Sequence, residues 1–178
     1  MPYPMRRGVE KHRFYGELES KRADICVVIF GSYFENNLSF LESLRDSLRE
    51  GGYKKTYLVK DLFPDSPLEE SPTNSLNALH FSDVNVFVFT FEGQEGGGNY
   101  EFREWSHVLE HPELYPELLL KSLRYVETRK IEGEETFALG NTYLSELKHL
   151  QLSFGPFSDL DNLTQDVLRD LEYRLTSR

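Results

Sequence analysis

The clearest pattern in the chain is a run of β-branched and aromatic residues, Val84 to Phe91, that is followed at once by polar residues and glycines. Such a continuous apolar run is typical of a strand that is covered on both faces of a sheet. The next segment, Glu92 to Gly98, is rich in glycine and is predicted to be a loop. Asn99 is a good N-cap for a helix that contains Trp105. This stretch therefore predicts a strand, a glycine-rich loop and a helix start at the carboxyl edge of a sheet.

The residues before Val84 also predict strands that alternate with helices. Ile25 to Phe30 is a short apolar run that predicts a central first strand, and leucines at three- and four-residue spacing then predict a helix. This helix is expected to begin with a cap at Asn36 or Asn37 and to end at Gly51 and Gly52. A second strand, nearer an edge of the sheet, is expected at Lys54 to Asp61. A loop at Leu62 to Pro72 and a short helix at Thr73 to Phe81 follow it.

The pattern beyond Trp105 is weaker. It predicts a helix that stops near His111, and then a helix followed by a strand within Leu118 to Thr128. A turn is expected at Gly133 to Glu135, a helix at Tyr143 to Leu150 and a strand at Leu150 to Phe154. The last helix is expected to begin with Asn162 and Gln165 as a capping pair. The alternation of strands and helices predicts an α/β fold in one domain. We expect a doubly wound, mainly parallel sheet of about five strands, flavodoxin-like or Rossmann-like, with helices on both faces.

Charge divides the chain unevenly. Residues 1–22 contain six Lys/Arg and three Glu, a net charge of +3, whereas the other 14 basic and 27 acidic residues give a net charge of −13. We therefore separate a basic N-terminal arm, 1–22, from an α/β domain, 23–178. An acidic domain disfavours a duplex nucleic-acid partner.

The single cysteine and the absence of long apolar runs bear on where in the cell the protein is expected. Cys26 lies within an apolar run, which indicates a small core residue rather than a nucleophile. No apolar run approaches the length of a membrane helix, and the N-terminus has no apolar signal region. The sequence therefore predicts a cytoplasmic protein without a membrane partner.

Three short motifs carry a family resemblance. GSY at Gly31 to Tyr33, SDVNVFVF at Ser82 to Phe89 and GGNYE at Gly97 to Glu101 together resemble the nucleoside 2-deoxyribosyltransferase family and its nucleoside 5'-monophosphate N-glycosidase relatives. The layout is also similar to that of TIR domains that hydrolyse NAD. The resemblance implies cleavage of an N-glycosidic bond, a small-molecule nucleoside or nucleotide as partner, and a homo-oligomer.

The residues themselves suggest how such a bond would break. Cleavage passes through an oxocarbenium-like state, which calls for a carboxylate beneath the anomeric carbon and an acid near the base. Glu101 is the best carboxylate, because the first turn of its predicted helix favours the ionised form. The resemblance makes Glu101 the nucleophile. Glu92, Glu95 and Asp61 are all candidates for the same edge, and the sequence does not choose an acid among them.

A cradle for the sugar or phosphate is predicted from glycines and a helix start. Its members are Gly31, Ser32, Tyr33, Asp61, Gly97, Gly98, Asn99 and Tyr100. Tyr33 is the aromatic residue best placed to stack on a base. Any tight turn between a strand and a helix also favours glycine, so part of this pattern has a structural explanation.

Two further classes of function and one further kind of site remain open. A nucleotide-sensing or TIR-like interaction module would use the same pocket without catalysis, and a plain protein-interaction domain would have a filled strand edge. Glu104, His107 and His111 lie at helical spacing, but a solvated helix face explains them better than a metal site. The sequence predicts neither a metal nor a cofactor.

Overall fold

The structure is a computed structural model, and it describes residues 15–67, 71–95, 104–108, 116–138 and 155–177. Six strands lie within these ranges and form one sheet. They are β1 Cys26–Phe30, β2 Lys55–Leu58, β3 Val84–Phe89, β4 Ser122–Ile131, β5 Glu134–Phe137 and β6 Gly155–Phe157.

The sheet is mixed and mostly parallel. Its main path is β2-β1-β3-β4-β5, and β6 pairs with β4. All the pairings are parallel except that of β4 with β5, which form an antiparallel hairpin through Glu132 and Gly133. Both turn residues have positive φ angles, 53° and 82°. The five parallel strands therefore follow the order β2-β1-β3-β4-β6. The chain passes from β1 to β2 on one side and then crosses back past β1 to β3 on the other side, so the strand order reverses at β1.

Helices pack on both faces of this sheet, as the sequence predicted. Within the described residues they are α1 (15–24), α2 Asn37–Glu50, α3 Val59–Leu62, α4 Ser71–Phe81, α5 Phe91–Glu95, α6 (104–108), α7 Pro116–Leu120 and α8 Leu160–Thr176. The α2 and α8 helices bury leucine and valine stripes against one face, and α4, α6 and α7 cover the other.

The two faces of β3 show why this strand is central. Val84, Val86 and Val88 point into the core beneath α2 and α8, whereas Phe87 and Phe89 point into the other core. Phe87 meets Trp105 of α6 edge to face, with ring centroids 5.2 Å apart, and stacks on Phe30 of β1 at 5.0 Å. Every residue of β3 is buried. The continuous apolar run in the sequence is therefore explained by burial on both sides.

The fold prediction is confirmed, and several boundaries need correction. The second strand ends at Leu58 because the Asp61 carboxylate accepts the Leu58 N–H at 2.8 Å and turns the chain into α3. The strand predicted to reach Phe91 ends at Phe89, and residues 92–95, predicted as a loop, belong to α5. The last helix is capped by Asp159, whose carboxylate accepts the Asn162 N–H at 2.8 Å, and the predicted pairing of Asn162 with Gln165 as a cap is wrong.

Other predictions are confirmed, or lie beyond what the structure describes. Helix α2 ends at Gly51 and Gly52, the latter with a φ of 102°, and α7 followed by β4 confirms the helix and strand predicted within Leu118 to Thr128. The segments 143–150 and 150–154 lie outside the described residues, and the final strand contains Gly155 and Pro156 rather than ending before them. Helix α1 lies partly within the predicted basic arm, and its Leu18 is buried.

Gly31 offers a direct test of this packing. A Cβ at Gly31 would meet Leu41 Cδ1 at 2.8 Å, and Leu41 is fully buried. We expect Gly31→Ala to lower the free energy of unfolding by about 1–3 kcal/mol, because the overpacked leucine has little room to move. Urea denaturation measures the effect. Gly16→Ala on α1, where nothing lies within 4 Å of the added Cβ, is the control and should be neutral or stabilising. Equal stability of both variants would contradict the packing role.

Candidate functional site

The carboxyl ends of β1 and β3 are joined by a buried polar cluster formed by Ser32, Asn37, Thr90 and Gly93. The Asn37 side-chain amide donates to the carbonyl of Ser32, and its oxygen accepts the Thr90 hydroxyl at 2.7 Å. The Gly93 N–H then donates to Thr90 Oγ1 at 3.0 Å. Asn37 is the first residue of α2, so one side chain holds together the turn after β1, the start of a helix and the end of β3.

Two glycines allow this cluster to close. A Cβ on Gly93 would lie 2.8 Å from Thr90 Oγ1 and 3.0 Å from Ser32 Cβ, so the position has no room for a side chain. Gly31 is packed against Leu41 in the same way. In parallel sheets of this topology the crevice where the strand order reverses is the usual ligand site. Here protein groups of the described residues fill the deepest part of the crevice between β1 and β3.

Glu92 also contributes to this closure. Its Oε1 accepts the backbone N–H of Asn36 at 2.9 Å, at the start of α2. Asn36 is the N-cap residue but makes no capping bond with its own side chain. The Glu92 carboxylate therefore meets the positive end of α2, where a negative charge is stabilising. This is a structural use of a residue that the sequence offered as a catalytic acid.

On the other side of β3, a glutamate of β4 holds the start of α5. The Phe91 N–H donates to Glu127 Oε1 at 3.0 Å, and Arg129 pairs with the other oxygen of Glu127 at 3.3 Å. The Arg129 guanidinium also lies 4.7 Å from the centre of the Phe91 ring. The segment after β3 is thus tied to α2 on one side and to β4 on the other, which explains why it is helical rather than a loop.

Tyr33 lies outside the filled crevice. Its side chain is 38% exposed, but the hydroxyl lies against α3, where it accepts the Lys60 N–H at 3.2 Å. Burial of the hydroxyl raises the pKa of Tyr33 to about 12, even though the backbone N–H groups of Lys60 and Val59 act in the opposite direction. The hydroxyl is therefore protonated at neutral pH, so it can donate a hydrogen bond to a ligand while it accepts one from the backbone.

Asp61 lies next to this hydroxyl but is engaged in an ion pair. Arg45 Nη1 of α2 donates to both carboxylate oxygens, at 2.9 and 3.0 Å, and Leu58 N–H donates to one of them at 2.8 Å. Partial burial alone would raise the pKa of Asp61. The Leu58 N–H and the Arg45 guanidinium outweigh that effect and lower the pKa, so the carboxylate is ionised at neutral pH.

Glu104 is the carboxylate that the sequence interpretation misplaced. It was assigned to a solvated helix face, but it is only 7% exposed. It is close enough to Tyr33 that its charge contributes to the raised pKa of the tyrosine. Helix α6 turns Glu104 inward because Trp105 and Val108, on the adjoining part of the same helical face, anchor the helix in the core.

The structure places the predicted site residues in three groups. Gly31 and Ser32 belong to the filled crevice, Tyr33 and Asp61 lie beside α3, and Glu92 caps α2. Glu95 is the last residue of α5. Five predicted residues lie outside the described residues: Gly97, Gly98, Asn99, Tyr100 and Glu101.

Four contributors were not singled out from the sequence: Asn37, Thr90, Gly93 and Glu127. Asn37 was considered only as a helix cap. Thr90 ends an apolar run, and a hydroxyl at the end of a buried strand is a signal that could have identified it. Gly93 looked like one loop glycine among several. Glu127 gave no local signal, because its role depends on the pairing of β3 with β4.

No protein-family model matches the chain, and comparisons with curated proteins and with solved structures find no significant match. Among the residues that the structure describes, no helix is long and apolar enough to cross a lipid bilayer. Within the same residues, no group of three or more His, Cys, Asp or Glu side chains is arranged to hold a metal ion. The site geometry and the sequence motifs are therefore the basis for a functional proposal.

Thr90 tests the importance of the buried cluster. Thr90→Val keeps the shape of the side chain but removes the hydroxyl that donates to Asn37 and accepts from Gly93. We expect the free energy of unfolding to fall by about 2–3 kcal/mol, because two buried polar groups lose their partner. Chemical denaturation measures this loss. Thr128→Val is the matched control, since Thr128 makes only a long hydrogen bond of 3.4 Å and is half-buried. Similar losses in both variants would argue against the cluster.

The lowered pKa of Asp61 predicts that the stability of the fold depends on pH. Its pKa is lower in the folded chain than in the unfolded chain, so its carboxylate stabilises the fold above the unfolded pKa, which is about 3.9. This contribution is lost as the pH falls through the folded-state pKa. We expect Asp61→Asn to cost about 1–3 kcal/mol at pH 7. The difference from the wild type should shrink below about pH 4.

Urea denaturation of both proteins between pH 2.5 and pH 7 measures this difference. Asp65→Asn, at an exposed position of the same loop region, is the control and should change stability little at any pH. A difference between wild type and Asp61→Asn that stayed constant over the whole range would show that ionisation of Asp61 does not contribute.

Proposed function

We propose that the chain cleaves the N-glycosidic bond of a nucleoside, a nucleotide or NAD, at the carboxyl edge of the sheet between Tyr33 and α6. The observation that carries this proposal is a buried carboxylate, Glu104 of α6, whose charge adds to the effect of burial in raising the pKa of Tyr33. A carboxylate with little water around it interacts strongly with a positive charge. An oxocarbenium-like sugar is such a charge.

The proposal assigns a role to each group. Glu101, three residues before Glu104 in the sequence, is the nucleophile by the family resemblance. It attacks the anomeric carbon while the base leaves with the bonding electrons and takes up a proton, and water then hydrolyses the glycosyl ester. Glu104 contributes negative charge near the developing cation. Tyr33 donates a hydrogen bond to the sugar or phosphate and presents its exposed ring to the base.

The source of the proton for the base is narrowed by the geometry. Glu92 binds the start of α2 and Asp61 is held ionised by Arg45, so neither is well suited to donate a proton. Glu95 remains the candidate acid among the three that the sequence offered. A cytoplasmic location and a homo-oligomeric assembly are further parts of the proposal that follow from the sequence and the resemblance.

A second candidate function has its own support. A nucleotide-sensing or TIR-like interaction module needs no catalytic acid. A filled crevice is the feature expected of a protein-interaction domain rather than of a module that binds a nucleotide there. The Ser32, Asn37, Thr90 and Gly93 cluster occupies the place where such sheets usually bind ligands. Under this alternative, Tyr33 and its surroundings bind a ligand or a partner, and Glu104 is a structural carboxylate.

The decisive test is the release of free base. Purified wild-type protein is incubated with a panel of nucleosides, nucleoside monophosphates and NAD, and free base is followed by chromatography. We expect Glu101→Gln to reduce the rate on the order of a thousandfold or more, because it removes the nucleophile. Tyr33→Phe and Glu104→Gln should each reduce it by about tenfold or more. Glu50→Gln, at an exposed position near the end of α2, is the control and should leave the rate unchanged.

The outcomes separate the two candidates. No release from any compound, together with thermal stabilisation by one of them, would support the sensing module. Release that survives Glu101→Gln would refute the assigned nucleophile. Release that is lost in Glu101→Gln but unchanged in both Tyr33→Phe and Glu104→Gln would place the reaction elsewhere than between Tyr33 and α6.

A further inference from the structure

Two histidines from different helices face each other on the surface formed by α4 and α6. The Nε2 atoms of His80 and His107 are 3.4 Å apart, and the ring centroids are 5.6 Å apart at an interplanar angle of 77°. His80 is exposed and His107 is half-buried. Sequence spacing on one helix pointed to Glu104, His107 and His111, whereas the fold brings in His80 from another helix.

The distance between the two nitrogens has a specific chemical meaning. Zinc binds imidazole nitrogens at about 2.0–2.1 Å, and two such bonds at a tetrahedral angle place the nitrogens roughly 3.3–3.4 Å apart. Strong hydrogen bonds to ring nitrogens are shorter, about 2.7–3.2 Å between heavy atoms. The separation of His80 and His107 therefore matches two ligands of one metal ion better than it matches a short direct hydrogen bond.

We propose that His80 and His107 form a two-histidine site for a transition-metal ion of the Zn²⁺ class, with water completing its coordination. Neutral imidazole is a preferred ligand for Zn²⁺, Ni²⁺ and Cu²⁺. Among the residues that the structure describes, no group of three or more candidate ligands is found, so the proposal names two protein ligands. Binding at such a site is weaker and more reversible than at a closed four-ligand site.

Charges around the pair do not exclude a cation. Lys121 Nζ donates to the carbonyls of His80 and Ser82 at 2.9 and 2.7 Å, which brings a positive charge near α4. Asp83 and Glu117 lie close enough to Lys121 that their negative charges oppose the lowering of its pKa by burial. Glu104 adds a further negative charge on α6, one turn before His107.

The consequence of metal binding is mechanical. One ion held by His80 and His107 would cross-link α4 to α6, and α6 is the helix on which Glu104 and Trp105 lie. The site would therefore restrain the position of α6 relative to α4. This inference does not depend on the glycosidase proposal, because it concerns binding and stability and requires no catalytic activity.

The test uses full-length protein without a polyhistidine tag, treated with chelator and dialysed. Zn²⁺ and Ni²⁺ are added, and binding is measured by titration calorimetry and thermal unfolding at pH 7.5. We expect one ion per chain and a rise in Tm of roughly 5–10 °C when free metal exceeds Kd a hundredfold. Both effects should disappear in His80→Ala and in His107→Ala.

His149→Ala is the matched control, since it removes another of the five histidines and should leave binding unchanged. His80→Gln and His107→Gln, which keep a polar side chain, guard against loss of folding, and an unchanged Tm without metal shows that each variant is intact. Metal binding that persists in the His80 and His107 variants would overturn the proposal. Absence of binding by the wild type at millimolar Zn²⁺ would overturn it equally.

Discussion

The arrangement of this edge of the sheet depends on one buried side chain, Asn37. Its side-chain amide donates a hydrogen bond to the carbonyl of Ser32, and its side-chain oxygen accepts a hydrogen bond from the Thr90 hydroxyl. A buried amide of this kind is stabilising only when its groups are paired, and each member left without its partner is costly. The bond network therefore fixes the turn after β1, the first residue of α2 and the end of β3 as one unit.

Because protein groups fill the crevice between β1 and β3, the candidate site proposed above does not lie in it. In sheets with this strand order the reversal point beside β1 is where ligands usually bind, because two loops diverge there. Here Gly31 and Gly93 let side chains and backbone meet instead of leaving space. Among the described residues of this edge, Tyr33 stays accessible, since its ring is exposed above α3 while its hydroxyl accepts a hydrogen bond from the Lys60 N–H.

Much of the fold could be predicted from local patterns. The runs at β1 and β3 are apolar because both faces of each strand are buried, and the leucines of α2 recur because one stripe faces the sheet. Some missed boundaries depend on local side-chain contacts, such as those of Asp61 with Leu58 and of Asp159 with Asn162, and others depend on contacts between distant parts of the chain. Helix α5 forms where glycines indicated a loop, because Thr90 and Glu127 hold its first backbone groups.

The candidate site was harder to predict than the fold for the same reason. Glu92 had the right residue type and position for an acid, but its oxygen binds the start of a helix that begins 56 residues earlier in the chain. Glu104 appeared to lie on a polar helix face, and only the packing of Trp105 shows that this face turns inward. Gly97 to Glu101, one of the three motifs that carry the family resemblance, lie outside the described residues.

Helix α6 connects these observations. Successive residues of a helix are separated by about 100° around its axis, so His107 and Val108 lie about 60° and 40° on either side of Glu104, and Trp105 lies about 100° from it. Trp105 fixes the rotation of the helix by packing on Phe87 of the central strand. With this rotation Glu104 is buried, and His107 faces His80 on α4. A shift of α6 would move Glu104 and His107 together, because both residues belong to the same short helix. The apolar contact between Trp105 and Phe87 thus helps to set the positions of two polar side chains.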